Sequence, residues 1–232
     1  MQKKFIALIP ARGGSKRLPK KNLLLAEGVP LIGWAIRAAL GCSLISHVFV
    51  SSEDDEIIKV SKEFGSEIIN RPPELSTDTA SSASVVLHAI KWLKKNNIDC
   101  EFMVLLQPTS PLRTSYQINE ALKSFFDNSA NHVVSVYEAD NSLIKSFVNC
   151  DDGSLKGLYC DNAPYLRQQD LPKLYKPNGA IYAFSASEFL KRKNFPSKRV
   201  FPYIMTKYES DDIDTMEDFK NVEQKIKVLK NV

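Results

Sequence analysis

Two segments at opposite ends of the chain carry residue types suited to handling a polyphosphate. The first is Ala11-Arg12-Gly13-Gly14-Ser15-Lys16-Arg17-Leu18-Pro19-Lys20-Lys21-Asn22, which directly follows an apolar run. Adjacent glycines let a backbone turn sharply and bring its N–H groups close to an anion. Arg12, Lys16 and Lys21 add charge that can neutralise a triphosphate. The segment matches neither G-x-x-x-x-G-K-[ST] nor G-x-G-x-x-G, so it is not one of the common phosphate loops. A basic cluster of this kind has rival readings: a surface turn with solvated lysines, a nuclear signal, or a nucleic-acid contact. The rest of the chain mixes both signs and interleaves no aromatics with its basic residues, which favours a pocket for a small anion.

The second segment is Glu209-Ser210-Asp211-Asp212-Ile213-Asp214-Thr215. In an extended backbone Asp212 and Asp214 project to the same side, because the strand period is two. Carboxylates held side by side repel, and a bound cation is a physical reason to keep them together. Magnesium suits the pair, since it takes oxygen ligands and is commonly shared between one or two carboxylates and substrate phosphates. The alternative for Asp214 is capping of the following helix with Glu217, which leaves Asp211 and Asp212 without a role. Two middle segments are more ambiguous. Arg71-Pro72-Pro73-Glu74-Leu75-Ser76-Thr77-Asp78-Thr79-Ala80-Ser81-Ser82 offers hydroxyls for a base and ribose, or simply a turn and a helix start. Gln107-Pro108-Thr109-Ser110-Pro111-Leu112-Arg113 carries two prolines that stiffen it and fix where Gln107 and Arg113 point. His88 and Trp92, four apart on a helix, read as packing residues.

The elements that must position these segments alternate between apolar β-rich runs and helical patterns, the mark of a mostly parallel sheet covered on both faces. Strands are expected at Phe5–Pro10, His47–Ser51, Ile68–Ile69, Phe102–Leu106, Val133–Tyr137 and Gly179–Phe184. Helices are expected at Leu31–Leu40, from Ser52 to a stop at Gly65, at Ser82–Lys95, after a Thr114/Gln117 capping box, and from Thr215 onward. Ser52 is the expected cap of the second helix, with Asp55 three residues on. In such a sheet ligands bind beyond the carboxyl ends of the strands, where the basic loop and the Gln107 segment both fall. From about Ala139 to Tyr175 the alternation fails and Asp-Asp-Gly and Asp-Asn turn signals appear. A structureless stretch of that length inside a compact domain is uncommon unless it is functional. It reads as an excursion that packs on a second subunit. The domain expectation is therefore a core of 1–138 and 176–232, interrupted by an arm at 139–175.

Composition bounds the remaining classes. The chain has 232 residues, 44% hydrophobic and 25% charged, with a net charge of +4, which fits one large domain with an ordinary polar surface. No apolar run approaches the roughly 20 residues of a membrane-spanning helix. The opening MQKKFIALIPARGG resembles a secretory leader only in outline, because Arg12, Lys16 and Arg17 stand where a cleavage site would be. Cys42, Cys100, Cys150 and Cys160 show no metal-ligand spacing, so free thiols in a reducing cytoplasm are expected.

Taken together, IPARGGSKRLPKKN, RPPELSTDTASS, LLQPTSPLR, RQQDLPKLYKPNGAIY and DDIDTMEDF run in order through nearly the whole chain and resemble the CMP-sialic acid synthetases, or N-acylneuraminate cytidylyltransferases, of the short bacterial type. The resemblance implies a Rossmann-like nucleotidyltransferase fold and a magnesium-dependent enzyme that couples CTP to a nonulosonic acid, releasing pyrophosphate. It also implies a homodimer whose arm helps build the neighbour's site. Residue by residue, Arg12, Ser15, Lys16, Lys21 and Asn22 match the CTP loop, and Arg71, Ala80 and Ser82 match cytidine contacts. Gln107 matches a sugar-contacting glutamine. Lys145 and Arg167 would meet the sugar carboxylate from the partner subunit, with Tyr182 and Phe195 lining the sugar pocket. Asp212 and Asp214 match the magnesium ligands, and with Arg12 and Lys21 form the expected catalytic set. Where some relatives carry two aromatics, this chain has Phe195-Pro196, and Gly13-Gly14 also varies within the family. These departures leave the identity of the sugar open, with legionaminic and pseudaminic acids as the nearest alternatives.

Overall fold

The computed structural model describes residues 4–230. The outermost residues of the expected core, 1–3 and 231–232, lie outside them, as does most of the basic start of the leader-like segment. Strand β1 (Phe5–Pro10) is apolar throughout because it is covered on both faces. The short hairpin β2 (Leu25–Ala26) and β3 (Val29–Pro30) leads into α1 (Leu31–Leu40). There follow β4 (Ile45–Ser52), α2 (Asp55–Glu63), β5 (Glu67–Asn70), α3 (Ser82–Lys95), β6 (Phe102–Leu105), α4 (Ser115–Asp127) and β7 (His132–Ala139). The chain then makes its excursion through the small hairpin β8 (Phe147–Asn149) and β9 (Leu155–Gly157). It returns by β10 (Leu174–Ser185), α5 (Ala186–Arg192), β11 (Val200–Ile204) and α6 (Met216–Lys230).

Seven strands form one sheet in the order β11-β7-β10-β6-β1-β4-β5. β10 alone runs antiparallel to its neighbours, and every other pairing is parallel. Alternate residues of β1 feed opposite layers, as the strand period requires. Phe5, Ala7 and Ile9 pack with Ile32, Ile36, Ile118, Leu122 and Phe125 on the side of α1 and α4. Ile6 and Leu8 pack with Val86, Ile90, Leu93, Phe184 and Phe189 on the side of α3 and α5. From β1 the chain steps outward to β4 and β5, then crosses back to β6 on the other side of β1. The reversal opens a crevice at the carboxyl ends of β1 and β6, and the basic loop and the Gln107 segment begin there.

A third apolar cluster draws the two charged segments together. Leu18 of the basic loop, Leu112 of the Gln107 segment and Ile213 between the two aspartates are buried with Phe219, Val222 and Ile226 of α6. The helix that follows the aspartates thus closes over the loop that follows the first strand, and the charged side chains at the edge of this cluster are left facing the crevice.

Several local expectations are met and others are corrected. Helices α1 and α3 span the expected residues, and Trp92 packs its ring edge against Phe49 at 5.8 Å between centroids. The cap of α2 is Asp54, whose Oδ1 accepts from the Ile57 N–H at 2.9 Å. Ser52 is instead a buried β4 residue in register with Asn70. β10 begins at Leu174, since Leu174 to Pro177 pair with Ala139 to Val136 before the register shifts. α5 and β11 lie where no element was expected. Between β7 and β10 the excursion carries its own small apolar cluster of Ile144, Ala163 and Leu171. Its exposed large side chains include Leu143, Leu155, Leu158, Tyr159 and Tyr165.

The Thr114/Gln117 box at the start of α4 is complete. Thr114 Oγ1 accepts from the Gln117 N–H at 3.2 Å, and Gln117 Oε1 accepts from the Thr114 N–H at 2.9 Å. Thr114→Ala is expected to cost about 1 kcal/mol. Thermal unfolding followed by circular dichroism should show the midpoint fall by about 2–4 °C; an unchanged midpoint would mean that tertiary packing alone holds this helix end.

Candidate active site

Two cavities open at the carboxyl edge of the sheet. The larger, about 670 Å³, is bordered by the basic loop, Arg71, the Thr77–Ser82 segment, Gln107, Thr109, Asp212 and Asp214. All eight residues expected to bind a nucleotide line it: Arg12, Ser15, Lys16, Lys21, Asn22, Arg71, Ala80 and Ser82. The smaller, about 410 Å³, is walled by Tyr137, Lys176, Asn178, Tyr182, Ser210 and Asp218, among others. Gln107 and Asp212 line both cavities, so the two spaces meet at those side chains.

The basic loop is shaped by its own hydrogen bonds. The buried Asn22 donates from Nδ2 to the Arg12 carbonyl at 3.0 Å, closing the loop on itself. The Gly13 N–H donates to Glu53 Oε1 at 2.8 Å, and a Cβ at Gly13 would collide with the Asp54 carboxylate, which accounts for one glycine of the pair. Gly14 has open space around it. Beneath the loop lies Arg71, which donates from Nη2 to the Ser51 carbonyl at 2.6 Å and from Nε to Ser51 Oγ at 3.2 Å. Burial lowers its pKa to about 10, offset in part by Glu53 and reinforced by the charge of Arg12. It remains a cation at neutral pH.

Each cation of the loop is met by a carboxylate from another part of the chain. Asp78 takes Arg12 Nη1 at 2.9 Å on one oxygen and Lys16 Nζ at 2.6 Å on the other. The Lys16 hydrogen bond is the main favourable influence holding the Asp78 carboxyl below its usual range. Asp214 takes Lys21 Nζ at 3.2 Å and Arg17 Nη1 at 3.0 Å. Lys21 also donates to the Ile213 carbonyl at 2.7 Å, joining the N-terminal loop to the aspartate segment.

Helix capping does not explain the aspartates. The cap pair of α6 is Thr215 with Asp218: Asp218 Oδ2 accepts from the Thr215 N–H at 2.8 Å, and Thr215 Oγ1 accepts from the Asp218 N–H at 3.2 Å. The expected Asp214/Glu217 pair is displaced by one residue, which leaves the Asp214 carboxylate in the cavity. Asp211 is engaged elsewhere, accepting from Lys225 Nζ at 2.7 Å and Asn221 Nδ2 at 3.0 Å. Asp212 remains. Burial raises its pKa, with further push from Asp214 and Asp218, against a Thr109 hydrogen bond and the charge of Lys21. An ionised, partly desolvated carboxylate beside a second one is a site that a cation would relieve. Among the described residues no group of three or more His, Cys, Asp or Glu could hold a metal. Two carboxylates fit a hard cation such as magnesium, whose other ligands come from phosphate and water.

The junction with the second cavity is set by the start of β10. Its register passes from Pro177 opposite Val136 to Tyr182 opposite Val134, so Asn178 to Ile181 bulge past Ser135. Gly179 sits there at φ +80°, and a Cβ on it would lie 2.6 Å from Gln107 Oε1; only glycine leaves Gln107 its place. The buried Arg113 braces the same corner, donating from Nη1 to the Gln107 carbonyl at 3.1 Å and to the Ala180 carbonyl at 2.8 Å. Asn178 adds a link to the aspartate segment by donating to Ser210 Oγ at 2.9 Å.

Three residues expected around a sugar stand apart from these cavities. Phe195 lies behind the wall, stacked on His132 at 5.6 Å and packed against Tyr182 at the same distance, so it supports the pocket-lining tyrosine from the core. Lys145 ends a short turn in the excursion, and Arg167 is exposed there, paired with Asp170 at 2.8 Å. Neither borders either of the two cavities. Sequence reasoning missed Asp78, Tyr137, Lys176 and Asn178 as lining residues. Lys176 and Asn178 lie in the same KPNGAIY run as Tyr182, and their neighbourhood to it was the available signal.

Asp212 provides a prediction with a definite sign. Its folded-state pKa is raised, so the native state favours the protonated form, and that stability is lost as pH rises through the folded pKa. Asp212→Asn is therefore expected to raise the melting temperature at neutral pH, with the gain shrinking as the pH is lowered. A melting temperature that falls at neutral pH would contradict the desolvation account. Asp78→Asn frees Arg12 and Lys16 and is expected to tighten triphosphate binding in a calorimetric titration; weaker binding would make Asp78 a support of the loop instead.

Comparison with known proteins adds the lineage. The family model for cytidylyltransferases matches residues 6–231. A Streptococcus agalactiae serotype V protein named N-acylneuraminate cytidylyltransferase is 37% identical over 221 residues, covering 94% of this chain and 52% of the relative. The chain thus spans about half the length of the N-acylneuraminate relatives it matches. A Campylobacter jejuni pseudaminic acid cytidylyltransferase is 30% identical over 218 residues, covering 94% of both chains. Among solved structures, a CMP:2-keto-3-deoxy-manno-octonic acid synthetase complexed with CTP superposes with a TM-score of 0.71 at 19% identity, covering 96% of this chain and 98% of that one. That likeness bears on the fold, a Rossmann-like nucleotidyltransferase sheet. With matches running along almost its entire length, the chain belongs to the cytidylyltransferase family that includes the N-acylneuraminate and pseudaminic acid enzymes.

Proposed function

We propose that this protein activates a nonulosonic acid with CTP, giving a CMP-sugar and pyrophosphate, and that a sialic-type acid is the acceptor. The observation that carries the reading is the pair of joined cavities. One is bordered by cations and by the Asp212 and Asp214 carboxylates, the other by aromatic and hydrogen-bonding side chains, and Gln107 and Asp212 belong to both. A nucleoside triphosphate in the first and a polyhydroxylated acid in the second would bring the α-phosphorus and the anomeric hydroxyl together at that junction. The names of the relatives support the same chemistry. The near-equal length of the Campylobacter relative keeps pseudaminic acid as the second acceptor to test.

In this reading the residues divide the work by charge. Arg12, Lys16 and Lys21 exchange their internal carboxylate partners for the triphosphate, with Ser15 and Asn22 completing the loop. Arg71, Ala80 and Ser82 border the same cavity and receive the cytidine. Both substrates are anionic, so neutralisation and alignment dominate the rate. Asp212 and Asp214 would hold magnesium, which supplies charge to the triphosphate and to the departing pyrophosphate. Attack by the anomeric oxygen forms one P–O bond as the bond to pyrophosphate breaks. Gln107 and Tyr182 orient the acceptor. The exposed apolar side chains of the excursion suit packing on a second copy, which would carry Lys145 and Arg167 to the acceptor carboxylate of the neighbouring site. A cytoplasmic setting goes with this reading, since it supplies CTP and keeps thiols reduced; all four cysteines are unpaired.

The test is pyrophosphate release from CTP and magnesium with neuraminic, legionaminic, pseudaminic and 2-keto-3-deoxy-manno-octonic acids as parallel acceptors. Turnover with a neuraminic acid is expected, and silence with all four in a folded, CTP-binding preparation would overturn the reading. Asp214→Ala is expected to abolish turnover, and near-normal activity of that variant across a magnesium titration would remove its ligand role. Arg167→Ala should raise the acceptor KM far more than the CTP KM; equal effects would contradict the carboxylate assignment.

A further inference from the structure

The second cavity has an uneven charge balance. Asp211, Asp212 and Asp218 all border it. Asp211 is neutralised by Lys225, and Asp218 is held by the cap of α6. Asp212 stands at the junction with no ion pair among the described residues. Against these carboxylates the wall offers one cation, Lys176. Other lysines nearby are engaged: Lys173 with Glu138, Lys225 with Asp211, Lys21 with Asp214. Lys176 has no ion pair or side-chain hydrogen bond among the described residues. It stands on β10 opposite Tyr137, two residues before Asn178 and the bulge that sets Gln107. Its backbone is therefore fixed by the sheet at the rim, while its ammonium is free.

We infer that Lys176 is an acceptor-binding residue that meets the carboxylate of the acid acceptor from within the same subunit, in addition to the Lys145 and Arg167 that a second copy would bring. Asp212 and Asp218 have no ion pair among the described residues, so an anion entering the space is repelled unless a cation is present in the wall. Arg167 and Lys145 of the same protomer do not border the space, so Lys176 is the cation that this subunit contributes. A lysine fits the position: it is exposed near the start of β10, its long stem is flexible, and its point charge does not demand one geometry of approach. Tyr137 and Tyr182 also line the space, and Asn221 and Ser210 there can supply hydrogen bonds for hydroxyls. The inference rests on the proposed reaction, because it requires an anionic acceptor in this cavity.

The test is steady-state pyrophosphate release by the wild type, Lys176→Met and Lys176→Arg, with CTP and acceptor varied in turn. Lys176→Met is expected to raise the acceptor KM by about tenfold, the lower end for a charge-assisted hydrogen bond at an exposed position, with the CTP KM unchanged. Lys176→Arg should restore most of the loss, which a purely structural effect would not do. An unchanged acceptor KM in Lys176→Met, or equal increases for both substrates, overturns the inference while leaving the reaction standing. A wild type that binds CTP but turns over none of the acids overturns the reaction and this inference with it.

Discussion

Lys21 and Asp214 are separated by almost the whole chain, and the contact between them organises the molecule's charged edge. Asp214 and Asp212 repel each other, and burial makes the ionised form of Asp212 more costly still. The Lys21 ammonium, itself largely shielded, reaches both Asp214 and the Ile213 carbonyl between the two aspartates. Leu18 and Ile213 share one apolar cluster under α6, so the apolar contact fixes the distance between the segments and the ionic contact fixes which groups face out. Neither would suffice alone. An ion pair exposed to water is weak, and an apolar cluster does not orient carboxylates.

The same division of labour recurs at the junction of the two cavities. β10 runs against its neighbours and bulges beside Ser135, which lets Gly179 approach Gln107. Arg113 sits buried behind this corner with two of its nitrogens unpartnered among the described residues, and burial lowers its pKa to about 9. Burying a guanidinium without a counter-charge is unfavourable. Its compensation is geometric, because one nitrogen ties the Gln107 carbonyl to the Ala180 carbonyl and so holds the end of β6 against the bulge of β10. Stability is given up where the positions of facing side chains are decided.

Much of this was legible in the sequence because the signals are local. The apolar run of β1, the periodicity of α1 and α3, and the Thr114/Gln117 box each depend on a few neighbouring residues, and each stands where the pattern puts it. The basic loop and the aspartates were also legible as chemistry, and the residues expected to contact a nucleotide do border one cavity. What was not legible depends on pairing across distance. α5 is short, and β11 is an edge strand with half-exposed residues, so neither carries a long period. The α6 cap at Thr215 with Asp218 lies one residue from an equally good pattern, and the choice is made by Lys21 and Arg17 drawing Asp214 into the cavity. Phe195 was placed on the correct wall but in the wrong layer, because its stacking on His132 brings in β7, which no local pattern near residue 195 announces.

The free protein also accounts for its own electrostatics. A crevice holding Arg12, Lys16, Arg17 and Lys21 would repel itself if left bare. Asp78 and Asp214 each bridge two of these four cations, so their mutual repulsion is partly offset while the crevice stays positive and the cations remain gathered and aimed. A polyanion with several charges can compete for all of them together, whereas a single carboxylate or monophosphate can displace only one bridge. The arrangement therefore favours a triphosphate over smaller anions through the number of charges displaced. Once Asp214 is released from Lys21 and Arg17, its carboxylate stands beside Asp212 with no basic partner, and the repulsion between the two is then greatest. In the proposed reaction, displacement of the internal ion pairs by the triphosphate and recruitment of a divalent cation to Asp212 and Asp214 would be consequences of the same event.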